Sequence, residues 1–248
     1  MRYLEISVVV PCYKEAEVIE RNILLIYEYL RAHFERCEII IVTDGSPDNT
    51  KENVERLGNA SPEIPILLIP FVKNQGKGTA VKAGILASKY DPVLFVDADL
   101  TIPINELEKF IPALESADMA IASRLVSGSQ FEEPTPWCRI LLARGFHLLQ
   151  IILLGNFEFS DTQCGFKLFR RNIAMKLFPK ITIKRFAFDA ELLFLAKKSN
   201  VKVTVLPVTI LKDSRNTNVN TISDPINMFF ALLKIRLNDW RRKYDQND

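Results

Sequence analysis

Four short apolar runs, residues 6–11, 39–43, 66–70 and 93–96, punctuate the first hundred residues, and each gives way to turn chemistry and then to a helical pattern. β-Branched and apolar runs of this length, bounded by turn formers, predict strands. Between them, residues 16–35 place Val18, Ile19, Leu25, Ile26, Tyr29 and Leu30 at helical spacing, and residues 48–57 open with a helix cap. Residues 78–89 repeat the pattern through Ala80, Val81, Gly84, Ile85 and Ala87. A fourth helix over residues 105–114 and a fifth strand over residues 119–122 continue it. Alternation of this kind predicts an α/β fold with a parallel, doubly wound sheet through about residue 124.

The second half is less regular. Residues 137–154 are strongly apolar, but Arg139, Arg144, His147 and Gln150 interrupt them. They fall short of the roughly 20 clean residues that a spanning helix needs, and predict an interfacial helix instead. Ile226, Phe229, Phe230, Leu233 and Leu237 form a helical stripe that ends in Trp240 and the basic cluster Arg241, Arg242 and Lys243. Two readings fit that stripe: a helix lying in a membrane surface, or one packed on the protein's own core with its basic end complementing the helix dipole. The expected division is a catalytic domain over residues 1–215 and an amphipathic helical segment over residues 216–248.

With 48% hydrophobic and 25% charged residues, the 248-residue chain has the balance of an ordinary globular protein that can bury a full core. Cys12, Cys37, Cys138 and Cys164 form no C-x-x-C pair, and only His33 and His147 could join them, which argues against a zinc site. Residues 1–5 carry Arg2 and Glu5 and resemble no signal peptide, so reduced cysteines and a cytoplasmic location are expected. The net charge of +2 hides an asymmetry: residues 1–133 hold 13 basic and 21 acidic side chains, and residues 134–248 hold 19 and 9. Lys167, Arg170, Arg171, Lys176, Lys180, Lys184 and Arg185 follow one another with no acidic residue between them, a field expected to attract an anion.

The fourth run ends V-L-F-V-D-A-D, so Asp97 and Asp99 emerge at the C-terminal end of a buried strand, where open α/β sheets hold ligands. Side chains alternate in an extended segment, and a D-x-D pair there could share Mg²⁺ or Mn²⁺ with a diphosphate. An acidic turn or helix cap before Thr101 and Pro103 is the competing reading. Other strand ends carry ligand-type groups as well. Pro11-Cys12-Tyr13-Lys14-Glu15 offers an aromatic face and a carboxylate, and Asp44 sits at a strand tip before Gly45. Lys77 lies between Gly76 and Gly78 ahead of a helix, where backbone N–H groups and a cation suit a phosphate. This segment is neither a Walker loop, because Phe71 and Gly78 stand at its required Gly and Ser/Thr positions, nor a dinucleotide fingerprint, because Val81 replaces the third glycine.

Through V-V-V-P-C-Y-K-E, T-D-G-S, N-Q-G-K-G-T-A-V-K-A-G and D-A-D, the chain resembles the family 2 glycosyltransferases of the GT-A fold. Ser123-Arg124, Arg139, D-T-Q-C-G-F-K-L-F from Asp161 and F-D-A-E-L-L from Phe188 narrow the resemblance to the dolichyl-phosphate and polyprenyl-phosphate hexosyltransferases. It runs from about residue 6 to residue 237. D-T-Q-C-G-F-K and L-L-K-I-R look more like the glucosyl than the mannosyl branch.

The resemblance implies a mostly parallel, Rossmann-like nucleotide-binding half, an acceptor half and C-terminal interfacial helices. It also implies inverting transfer of a hexose, favouring UDP-glucose as donor, to dolichyl or another polyprenyl phosphate. Pro11, Tyr13, Glu15 and Asp44 would hold the nucleotide with Lys77 beside it, and Asp97 and Asp99 would bind a divalent cation, Mg²⁺ or Mn²⁺, and the diphosphate. Arg124 and Arg139 would grip the acceptor phosphate, and Asp161 and Gln163 would line the sugar site, with Asp161 as base or stabiliser. The enzyme would work peripherally at the cytoplasmic face of a membrane, with a membrane-protein partner possible and no nucleic acid involved. Rival readings are GDP-mannose as donor, a saccharide hydroxyl as acceptor, or a non-enzymatic scaffold that binds nucleotide sugars or lipids.

Overall fold

The structure is a computed structural model that describes residues 3–133, 137–155, 158–212 and 223–245. The predicted alternation holds through the first half as β1 (Tyr3–Cys12), α1 (Ile19–His33), β2 (Phe34–Asp44), α2 (Thr50–Ala60), β3 (Ile66–Phe71), α3 (Lys77–Ala87), β4 (Val93–Val96), α4 (Leu107–Ala113) and β5 (Met119–Ser123). A short β6 (Gln130–Phe131) and α5 (Trp137–Leu154) lead into β7 (Phe166–Phe169), α6 (Arg171–Leu177), α7 (Phe188–Lys198), β8 (Val203–Pro207), β9 (Thr209–Ile210) and α8 (Ser223–Trp240).

The strands assemble in the order β3-β2-β1-β4-β7-β5-β8. All neighbours run parallel except β7, which lies antiparallel between β4 and β5. Periodicity alone does not predict β7, because its four residues F-K-L-F hold a lysine that opens a run of basic side chains; Lys167 is in fact fully buried there. After β1 the chain steps outward through β2 and β3, then returns to place β4 on the other side of β1. That reversal opens a crevice at the carboxyl ends of β1 and β4, where this fold class binds ligands.

Two-residue alternation along the strands divides the core. Val8 and Val10 face α1, α2 and α4, packing with Ile23, Ile26, Val54 and Phe110. Val9, Ile40 and Phe95 face the other layer, with Val81 and Ile85 of α3, Leu192 and Leu193 of α7, and Leu232 and Ile235 of α8. Because Leu232 and Ile235 join this core, α8 is apolar on two faces; the predicted stripe of Ile226, Phe229, Phe230, Leu233 and Leu237, with Trp240, is the outward one. The expected boundary at residues 215 and 216 lies outside the described residues. Among the described residues, no helix is long and apolar enough to cross a membrane.

Candidate active site at the sheet switch point

The turn after β1 is sewn to the one after β2. Lys14, at φ 60°, donates its N–H to Ser46 Oγ (3.1 Å), Glu15 N–H to Thr50 Oγ1 (2.9 Å) and Ala16 N–H to Asp48 Oδ2 (3.2 Å). Asp48 in turn accepts from the Thr50 hydroxyl at 2.6 Å. Pro11 is buried in register with Val42, while Tyr13 stays partly open beside Lys14, whose ammonium lies 5.5 Å from the ring centroid. The predicted aromatic and carboxylate groups thus stand at one mouth of the crevice.

Asp44 has a different immediate task. It is nearly inaccessible, and its two oxygens accept the amides of Gln75 (2.6 Å) and Gly76 (2.8 Å). Burial pushes its carboxyl up from the ordinary value, against the pull of those two amides. These N–H groups of the glycine loop are therefore spent on Asp44 rather than turned to a phosphate, a correction to the loop expected from sequence. The glycines answer to a close backbone approach instead: a Cβ at Gly76 (φ 99°) would strike the Lys184 carbonyl, and one at Gly78 would strike the Ile183 carbonyl and Phe188.

Lys77, between those glycines, sets its ammonium 2.7 and 2.9 Å from the two oxygens of Asp97, with both side chains mostly covered (22% and 28% exposed). Burial alone would lower the lysine, but Asp97 and Asp189 hold it above its usual range. Asp97 N–H donates to Gly165 O (3.0 Å), and its carboxylate rests so closely on Gly165 that no Cβ fits there. Asp99 accepts from Thr101 N–H (3.0 Å) and hydroxyl (3.1 Å). Between them, Leu100 takes the left-handed φ of 52°, and Asn22 of α1 clamps the Ala98 carbonyl at 2.7 Å. The turn is both a local cap and a held carboxylate pair.

Burial, and after it the neighbouring Asp97, raises the Asp99 carboxyl. Among the described residues, no three His, Cys, Asp or Glu side chains gather to enclose a metal ion. The donor set of two hard carboxylates fits a divalent cation that also takes oxygens from a diphosphate.

Across β7 from β4, Arg124 at the end of β5 forms a fork with Asp161: Nε to Oδ2 at 2.7 Å and Nη2 to Oδ1 at 2.9 Å, while the Arg124 amide reaches Oδ2 at 3.0 Å. Gln163 N–H reaches Oδ1 at 3.2 Å. Burial would raise Asp161, yet the fork brings it below its ordinary value. Burial would lower Arg124, but the Asp161 fork holds it above its ordinary range, and the segment that carries Asp161 runs on to Gly165, which rests against the Asp97 carboxylate. The side chain of Arg139 lies outside the described residues; its backbone belongs to α5.

Sequence reasoning assigned no role to the pair that supports this centre. Lys167, wholly buried on β7, donates to Asp189 Oδ1 (2.5 Å) and Cys164 O (2.6 Å), and Asp189 also feels Lys77. An isolated lysine in an apolar strand and an aspartate opening F-D-A-E-L-L were the available signals. The basic field predicted from residue 167 to residue 185 does not form one patch. Arg170 and Arg171 are bonded to the carbonyls of Leu114 and Ser88, and Lys180 is buried, because a charge taken inside must find a partner.

A family model described as Glycosyl transferase family 2 matches residues 7–178. Among curated proteins, a dolichyl-phosphate beta-glucosyltransferase of Trichomonas vaginalis is 40% identical over 212 residues, 81% of this chain and 62% of that protein. One of Homo sapiens is 33% identical over 216 residues, 82% of this chain and 66% of that protein. The chain thus spans just under two thirds of the length of these relatives. Glucosyl-3-phosphoglycerate synthase of Mycobacterium tuberculosis, solved with Mn²⁺, UDP and glucosyl-3-phosphoglycerate, superposes with a TM-score of 0.69 at 17% identity, covering 94% of this chain and 80% of that one. Mannosyl-3-phosphoglycerate synthase of Rubrobacter xylanophilus gives 0.68 at 18%, covering 99% and 76%. At such identities the likeness is one of fold.

Proposed function

Because this chain belongs to glycosyl transferase family 2, we propose that it transfers glucose, with inversion, from UDP-glucose to dolichyl or another polyprenyl phosphate. The observation that carries the reading is that the Asp97–Lys77 pair and the Arg124–Asp161 fork are joined by one short segment, Asp161 to Gly165, whose last residue packs on the Asp97 carboxylate. Tyr13 and Glu15 flank the nucleotide, and Asp44 fixes the glycine loop against it. A divalent cation held by Asp97 and Asp99 would offset the charge of the departing diphosphate. Lys77 stands beside the same phosphates.

In the reaction, an acceptor phosphate oxygen forms a bond to the anomeric carbon from the face opposite the breaking bond, and UDP leaves with that bond's electron pair. A phosphate monoester has a second pKa of about 6, so the nucleophile is already anionic at neutral pH and needs placement more than deprotonation. Arg124 spends two of its guanidinium N–H groups on Asp161 and, 41% exposed, keeps the others for the acceptor. Asp161, held ionised with both oxygens engaged, suits the role of orienting Arg124 and is a poor base. This favours a phosphate over a saccharide hydroxyl as acceptor.

The outward face of α8 supports a peripheral membrane position. Phe230 and Trp240 are 62% and 70% exposed, beside Arg241, Arg242 and Lys243. A bilayer would cover the stripe and its anionic headgroups would meet the basic end. Screening UDP- and GDP-sugars against a short polyprenyl phosphate with Mn²⁺ tests the assignment. UDP-glucose should lead, and preference for GDP-mannose would overturn the donor choice.

A further inference from the structure

Glu191, wholly buried on α7, lies outside the crevice, yet its carboxylate accepts four hydrogen bonds. Thr182 N–H (2.9 Å) and Ile183 N–H (2.7 Å) reach Oε2, while the Thr182 hydroxyl (2.7 Å) and the Tyr244 hydroxyl (2.6 Å) reach Oε1. Asn238 of α8 adds a bond to Thr182 Oγ1 at 3.0 Å. The segment bound in this way is the one that presses on the glycine loop. Lys184 O accepts from Thr79 N–H at 3.2 Å, and the Ile183 and Lys184 carbonyls occupy the space that side chains at Gly78 and Gly76 would need. Lys77, between those glycines, holds Asp97. A continuous run of bonds and contacts thus joins the residues just past α8 to the proposed donor site.

We infer that Tyr244 is a positioning residue for donor binding: through Glu191 it sets residues 182–184, and through them the glycine loop and Lys77. This rests on the donor-site reading above. A hydrogen bond to a carboxylate in a dry interior is among the strong ones, and without the hydroxyl Oε1 keeps only Thr182 as a partner. The carboxylate then has reason to turn, and its backbone partners turn with it.

Tyr244→Phe keeps the ring beside Phe194 and removes only the hydroxyl. The full chain is followed by amide hydrogen exchange without ligand, by titration with UDP and with GDP in Mn²⁺, and by turnover. Exchange at Gln75, Gly76 and Thr79 should quicken about tenfold, and the Kd of the nucleotide the wild type binds should rise about five- to tenfold, with kcat at saturating donor changed by less than about twofold. Leu232→Ala, which hollows the α8 contact elsewhere, serves as a control for lost stability and should leave loop exchange and Kd within about twofold. If Tyr244→Phe does not fold, Asn238→Ala, which removes the Thr182 bond from α8, must give the same pattern. Unchanged Kd in Tyr244→Phe, or an equal rise in Leu232→Ala, overturns the inference alone. A wild type that binds neither nucleotide overturns the donor reading and this inference with it.

Discussion

Gly165→Ala isolates the placement of Asp97 without touching a charged residue. The glycine is not required by its backbone, since it is not among the positive-φ residues; it is required by space, because a Cβ would overlap the Asp97 carboxylate. Two forces then compete. Swinging the carboxylate from its 2.7 Å contact with Lys77 to about 6 Å costs about 3 kcal/mol at an effective dielectric of 20, and under about 1 kcal/mol in water. Overlap of bonded-scale depth costs far more than that, so the side chain leaves its place. Misplacing a positioning group by an ångström or more costs about a hundredfold in rate, which is the loss expected in kcat/KM for the proposed transfer. The ion pair is mostly covered but still reached by solvent, so the melting temperature should fall by no more than roughly 10 °C. Steady-state kinetics and calorimetry read the two effects. Gly165→Ala with kcat/KM within about threefold of wild type would refute the claim that Asp97 must sit where it does.

Asp161→Asn tests the fork through pH. The folded carboxyl lies below its ordinary value near 3.8, so its contribution to stability is present above that value and lost as pH falls through the lower, folded one. The gap in melting temperature between wild type and variant should therefore be full at pH 7 and close below about pH 4, as calorimetry across that range can measure. A gap that closes between pH 5 and 7 would mean the carboxyl titrates there and is available as a base. On α8, Phe230→Asp and Trp240→Asp should each weaken sedimentation with anionic vesicles at least about tenfold, since each ring stands to bury about 1.5–3 kcal/mol of apolar surface. Binding that persists in the double variant would leave the stripe without that role.

Much of this crevice is legible in the chain because the relevant residues stand directly after apolar runs. Asp44, Asp97 and Asp99 each end a stretch whose burial leaves no other place for a carboxylate than the sheet edge. What cannot be read is who meets whom. The pairings of Lys77 with Asp97, Arg124 with Asp161 and Lys167 with Asp189 join residues 20, 37 and 22 positions apart. The last two depend on β7 inserting antiparallel between β4 and β5, which four residues with a lysine among them do not announce. Gly76 and Gly78 read as a phosphate turn because glycine serves phosphates and crowded backbones equally well. The α8 stripe is visible in sequence, but its outward direction follows from Leu232 and Ile235 filling the core on the opposite side.

The central claim is that a carboxylate pair and an anchored arginine serve one transfer from a nucleotide sugar to a lipid phosphate. Incubation with UDP-glucose labelled in the sugar, a short polyprenyl phosphate and Mn²⁺, followed by organic extraction, measures that transfer directly. The account predicts label in the lipid fraction from the wild type, and none after chelation of the metal or from a folded Asp99→Ala variant. Undiminished lipid label from Asp99→Ala, or label found only in a water-soluble saccharide, would contradict it.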